Sequence, residues 1–263
     1  MDAKHIKSIE YVIPNGVTEP LMCILDDDRW AVVKTFNNVQ GNLALVNEYI
    51  CYRLAEILNL PMPASGICIC DSNTADTNGL INANNLGYGF YSTYLKKNTL
   101  LKLGIMKYVV NIDVFYKLVI FDHVVYNMDR NMGNLLVEYK KKNIYVSVID
   151  HTHVFKNQTI WNEVCFRQGM EERDFNDTSI MEKNDFLYQM FYRTIDIQHN
   201  KLVDSAHEIC EMITDEVLND IVLEVPKEWG VSEEDMVALQ EYLFYRLSHI
   251  DEICKVIIDY IKA

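Results

Sequence analysis

Five side chains in this chain could together move a phosphoryl group. Asp129 and Asn134 lie in DRNMGNLL (129–136), and Asp150 closes VID (148–150). Two carboxylates and an amide oxygen are hard ligands of the kind that suit Mg²⁺ carrying phosphate and water. A carboxylate beside them can accept or steer the proton of an attacking hydroxyl. The reaction also needs a cation on the phosphates, and Lys34 ends RWAVVK (29–34). Strand alternation places Lys34 with Val32 and Trp30 on an inward face, where an unpaired ammonium is costly. Glu48 is the partner expected: on the following helix it shares a flank with the small residues Ala44, Cys51 and Ala55. Taken singly, each of these residues has a plainer reading, as an Asx-type turn, a strand cap or a solvated lysine.

The elements that must position these groups can be read from periodicity. LLVEY and IYVSVI flank the polar KKKN turn, so a hairpin centred between Lys141 and Lys142 sets opposite residues whose numbers sum to about 283. Asn134 then faces Ile149 or Asp150, and the two ends of the motif meet. Upstream, IEYVI (9–13), LMCILDD (21–27) and RWAVVKTF (29–36) read as strands of an antiparallel sheet. Leu43, Val46, Ile50, Leu54, Ile57 and Leu58 then step by three and four, which predicts an amphipathic helix stopped by Pro61 and Pro63. GICIC (66–70) returns to strand, and 71–89, rich in Asn, Thr, Asp and Gly, is an exposed connection. Helices are predicted at 101–110, 111–127, 185–195, 200–213 and, unbroken, across 232–262. The expected fold is α+β with two lobes: a small sheet-plus-helix lobe over 1–94 and a larger, mainly helical lobe over 95–263 with the hairpin embedded.

Composition narrows the partners. The net charge is −14, from 38 acids against 24 bases, and LysLysLys at 140–142 is the longest basic run. Nucleic acid, which demands clustered cations, is not expected, and the basic triplet reads as a solvated turn. No apolar run is long enough to span a bilayer, and MDAKHIKSIEYV lacks the apolar stretch of a signal peptide, so no membrane partner and a cytoplasmic address are expected. Seven scattered cysteines suggest reduced, buried thiols rather than a disulfide framework, and Cys68 and Cys70 alternate within a strand with no second metal-ligand pair nearby.

The order Lys, Glu, Asp…Asn, Asp is that of the catalytic parts of the protein-kinase superfamily. AVVKTF (31–36), VNEYICYRLAEILNLPMP (46–63), YNMDRNMGNLL (126–136), VIDHTHVF (148–155) and VPKEWGV (225–231) followed by a helix containing LFYR (243–246) resemble the HipA-like kinases, relatives of protein and phosphatidylinositol kinases. That resemblance implies ATP and Mg²⁺, with Mn²⁺ as a substitute. Lys34 would hold the α/β-phosphates and pair with Glu48, Asp129 would be the base, and Asn134 and Asp150 would ligate metal. FYSTYL (90–95) would be the inter-lobe hinge, with adenine contacts at Ser92 to Tyr94, and PNGVTEP (14–20) would cover the phosphates through Gly16 and Thr18. The chain departs from protein kinases in lacking G-x-G-x-x-G, HRD and DFG; Asp150 is followed by His151 and Thr152. Arg130 is expected to anchor its loop rather than to touch phosphate. His123, His151 and His153 lack the spacing of a metal site. The expected acceptor is a hydroxyl, foremost Ser or Thr of a protein; a small-molecule acceptor, or a nucleotide-binding pseudokinase acting through protein contacts, are the alternatives.

Overall fold

The computed structural model describes residues 3–14 and 16–262. Met1, Asp2 and Ala263, at the ends of the expected lobes, and Asn15, within the 14–20 loop, lie outside the described residues.

The chain opens with β1 (Lys4–Val12), β2 (Leu21–Leu25) and β3 (Trp30–Lys34), followed by α1 (Leu43–Ile57), β4 (Ser65–Cys70) and β5 (Gly87–Thr93). The expected antiparallel sheet closes on itself in the order β1-β2-β3-β5-β4, because β1 pairs in parallel with β4 through Lys4–Cys68 and His5–Ile69. Its interior holds Ile6, Leu25, Ala31, Val33, Cys23 and Cys68 among others. Ala31 and Val33 therefore point into the barrel, and Trp30, Val32 and Lys34 take the opposite face. The inward face expected for Lys34 is thus the outer wall of the barrel, buried there by what packs over it. α1 covers that wall, with Glu48, Cys51 and Ala55 all buried. Gly89 lets β5 lie against the end of β3: a Cβ at this position would come within 2.6 Å of the Lys34 carbonyl.

The second part begins with β6 (Asn98–Leu100), α2 (Leu103–Met106) and α3 (Val114–Val124), then the hairpin β7 (Leu135–Lys140) and β8 (Asn143–Val148). The hairpin register runs from Lys140–Asn143 to Leu135–Val148, so the predicted arithmetic holds throughout. β6 adds a third strand that periodicity did not suggest, and the helix expected over 101–110 shrinks to the single turn of α2. α4 (Glu163–Glu171), α5 (Ser179–Tyr192), α6 (His199–Met212), α7 (Asp215–Leu223), α8 (Glu233–Ser248) and α9 (Ile250–Lys262) complete the chain. Asn162, Thr214 and Ser232 cap α4, α7 and α8 through their side chains. The helix expected without interruption over 232–262 breaks at His249. There Ser248 Oγ donates to the Tyr245 carbonyl (2.7 Å), and the His249 ring stacks on Phe175 with centroids 4.1 Å apart. The break turns α9 onto α6. One continuous core joins α1 to the helical part, separate from the barrel interior. Among the described residues no helix is long and apolar enough to cross a membrane.

Candidate active site

Lys34 stands where the barrel and α1 meet the chain that leaves β8. Its ammonium donates to Glu48 Oε1, to Asp150 Oδ1 at 3.0 Å and to Thr152 Oγ1 at 2.6 Å. Glu48 also accepts from the His151 N–H (3.1 Å) and the Thr152 hydroxyl (3.0 Å). The expected Lys34–Glu48 pair is therefore one edge of a closed polygon that includes the chain after β8. Burial opposes the Lys34 charge, but Asp150 and Glu48 outweigh it and hold the lysine above its usual pKa. Burial lifts the Glu48 carboxyl above its usual range while Lys34 pulls it back. Asp150 lies below the carboxylate range: desolvation would raise it, and Lys34 outweighs that cost.

Asp150 adopts a left-handed backbone (φ 57°), a conformation that costs a non-glycine residue energy and that recurs at functional sites. One carboxylate oxygen faces Lys34 and the Thr152 N–H, and 45% of the side chain remains exposed. Asn134 lies beside it, since the Ile149 N–H donates to the Asn134 carbonyl at 3.0 Å. Asn134 Nδ2 is spent on the Asp129 carbonyl (2.6 Å). That fixes the amide's orientation and leaves its Oδ1 without a hydrogen-bond partner among the described residues. An uncommitted amide oxygen next to a half-open carboxylate fits a hard divalent cation whose remaining ligands are phosphate and water. Among the described residues, no group of three or more His, Cys, Asp or Glu is arranged to hold a metal by itself.

Asp129 is 47% exposed on the side chain, while its backbone is pinned at both ends, by the Asn127 side chain on its N–H (2.9 Å) and by Asn134 on its carbonyl. Asn131 Nδ2 donates to Oδ1 (3.1 Å), and His153 Nδ1 approaches Oδ2 (3.4 Å). That contact, against partial burial, raises the His153 pKa.

Arg130 points the other way, into the interior. It grips buried Asp122 through Nε and Nη2 (2.9–3.1 Å) and reaches the Ile149 carbonyl (3.0 Å) and His151 Nε2 (2.8 Å). His151, driven far below its usual pKa by burial and by Arg130, is neutral and accepts. Asn184 on α5 takes the Arg130 N–H (2.9 Å) and donates to the Asn127 carbonyl (2.8 Å), and Tyr188 donates to Asp122 (3.0 Å). Arg130 is thus an anchor, as its sequence reading favoured.

Not every expected residue joins the cluster. Gly16 and Thr18 sit in a tight turn in which the Glu19 N–H donates to the Gly16 carbonyl (2.9 Å), and Thr18 is buried; no hydrogen bond ties either to the Lys34 cluster. Ser92 is paired with both Val32 and Ser65 inside the barrel wall. Tyr94 lies at its end with its N–H already donated to the Trp30 carbonyl (2.8 Å). Sequence reasoning missed Thr152, though it stands inside VIDHTHVF. It also missed Asn47, whose Nδ2 donates to the Thr152 (2.7 Å) and Gln158 (3.0 Å) carbonyls while its Oδ1 accepts from the Trp161 indole (2.8 Å). Asp122 carried a readable signal: an acid within the apolar run VFYKLVIFDHVV has to be paired.

The chain matches the HipA-like kinase family over residues 6–254. It belongs to that family. This HipA-like kinase is a phosphotransferase, and its fold is protein-kinase-like. It resembles the Helicobacter pylori proinflammatory kinase CtkA, with a TM-score of 0.58 at 14% identity over 95% of this chain and 96% of that one. It also resembles the Golgi casein kinase crystallised with Mn/ADP bound, with a TM-score of 0.56 at 12% identity over 96% of this chain and 74% of that one. At such identities the likeness speaks for the fold alone. No curated protein sequence matches the chain.

Proposed function

We propose that this kinase moves the γ-phosphate of ATP to a Ser or Thr hydroxyl of a protein. The observation that carries the reading is the arrangement around Lys34. A buried ammonium binds both the α1 carboxylate and Asp150, while Asp150 and Asp129 each keep about half of their side chains exposed, 45% and 47%.

In this reading Lys34, fixed by Glu48 and Thr152, holds the α/β-phosphates. Asn134 Oδ1 and Asp150 hold Mg²⁺, or Mn²⁺ in its place; the ion when bound neutralises charge on the phosphate oxygens. Manganese and ADP in the Golgi casein kinase support a nucleotide and a divalent ion here. Asp129 orients the acceptor hydroxyl and takes its proton as the oxygen bonds to the γ-phosphorus. The bond from that phosphorus to the β,γ-bridging oxygen breaks, and ADP leaves. Gly16 and Thr18 cover the phosphates, and Ser92 and Tyr94 border the adenine, the Tyr94 N–H excepted. The lobes divide between residues 94 and 95, and the seven free thiols suit a reducing, cytosolic setting.

Incubation with γ-labelled ATP, Mg²⁺ or Mn²⁺ and a protein lysate tests this, read by phosphoamino-acid analysis. Labelled phosphoserine or phosphothreonine is expected. ATP–Mg²⁺ that raises the unfolding temperature, by about 2.7 kcal/mol of stabilisation at 100 times its dissociation constant, with no transfer under either metal would replace the reading with a pseudokinase. Label confined to small molecules would replace the protein acceptor.

A further inference from the structure

Six exposed lysines gather at one end of the three-stranded sheet β6-β7-β8. Lys96 and Lys97 lead into β6, Lys140 ends β7, and Lys141 and Lys142 form the turn into β8. The Tyr139 N–H donates to the Lys97 carbonyl (3.0 Å), which brings the first pair beside Lys140. On the opposite flank Val109 bridges Ile144, and the Val110 N–H donates to the Ile144 carbonyl (2.8 Å), placing Lys107 at the same end. Of these six, only Lys140 has a carboxylate partner among the described residues, Glu138 at 2.7 Å. Exposed Tyr108 and Tyr139 stand between the lysines, and Lys107 lies 5.0 Å from the centre of the Tyr108 ring.

A solvated turn accounts for the triplet at 140–142 but not for the convergence of three separate segments on it. Like charges on adjacent strands repel, and this concentration arises in a chain of net charge −14. We propose that this end of the sheet docks an acidic segment of the protein substrate, an inference that rests on the protein-acceptor reading above. Three strands span roughly 10–15 Å. Beyond that width the acidic remainder of the chain, felt over a screening length of about 8 Å, repels a long polyanion or an anionic bilayer, whereas a few consecutive Asp or Glu residues fit within the patch. β7 separates the patch from Asn134 by about 20 Å. An extended peptide covers at most about 3.6 Å per residue, so the acidic segment lies at least roughly six residues from the acceptor hydroxyl.

The experiment is fluorescence anisotropy of a short labelled oligo-glutamate peptide against the full chain and against the variant Lys96→Ala, Lys97→Ala, Lys141→Ala, Lys142→Ala. A single-stranded oligonucleotide and phosphatidylserine vesicles serve as competing probes. The peptide is expected to bind the unmodified chain, to weaken roughly tenfold in the variant and to weaken further as salt rises, while the competing probes bind less well. No peptide binding, binding that the variant leaves unchanged, or preference for the oligonucleotide or vesicles overturns the proposal. Two controls separate it from the functional reading. The lysine variant keeps ATP-dependent stabilisation, and Asp129→Ala keeps peptide binding. An unmodified chain that transfers phosphate but binds no peptide defeats only the docking site, and an unmodified chain that binds the peptide but transfers no phosphate defeats only the kinase assignment.

Discussion

Asp129 and Arg130 are neighbours in the chain and opposites in the structure. Arg130 is 1% exposed and ends in a network with Asp122, His151, Asn127, Asn184 and Tyr188, in which His151 Nδ1 alone lacks a hydrogen-bond partner among the described residues. Asp129, like Asp150, leaves about half of its side chain exposed, 47% and 45%. A buried network that spends nearly all of its polar atoms on itself holds shape. A carboxylate held by its backbone and half exposed can act on something from outside. The difference separates the residues that build the 127–134 loop from those that use it.

The sharpest way to break that contrast is Arg130→Met. It leaves Asp122 buried without its cation, and loss of one partner of a buried pair costs about 3–5 kcal/mol, to be read as a lower urea midpoint. The interior also predicts acid sensitivity. His123 is fully buried, its two ring nitrogens have no hydrogen-bond partner among the described residues, and burial lowers its pKa to about 3. Below about pH 6.5 the unfolded chain binds a proton that the folded chain refuses, so stability falls as pH falls, by about 1.4 kcal/mol per unit or roughly 2 kcal/mol at pH 5. Urea unfolding across this range should show the slope, and His123→Leu should flatten it.

On the open side, Thr152→Val removes the hydroxyl that bridges Lys34 and Glu48. One such bond is worth about 1 kcal/mol, so KM for ATP should rise several-fold while Thr152→Ser restores it. The smallest effect belongs to His153. Its raised pKa means that the imidazolium's attraction to Asp129 is fully present below about pH 6.5 and is lost as pH climbs through the raised value. With Asp129 half exposed the pair is worth less than about 1 kcal/mol. An NMR titration should place the His153 pKa above 6.5 and show it fall towards that value in Asp129→Asn.

What the sequence disclosed follows the same divide. The register that sets Asp150 beside Asn134 was legible because a polar turn and strict alternation encode it locally, and the small flank of α1 marked Glu48. Closure of the barrel rests on a parallel pairing between Lys4 and Cys68 that no turn announces. The Asn47 junction joins positions more than a hundred residues apart and has no periodic trace. The break at His249 comes from packing on Phe175, since neither Pro nor Gly stands there. Local chemistry could be read in advance; the partners that lock it in place had to be seen.

Phosphoryl transfer from γ-labelled ATP by Asp129→Ala and by Asp150→Asn, each measured beside its unfolding temperature, tests the central claim most directly. Both sites lie on the open side of the divide. Transfer should fall by about two to four orders of magnitude in Asp129→Ala, with an unfolding temperature close to that of the unmodified chain, and be abolished in Asp150→Asn, which should still fold cooperatively but unfold at a lower temperature because buried Lys34 loses one of its two carboxylates. Transfer that survives in both variants would contradict the account.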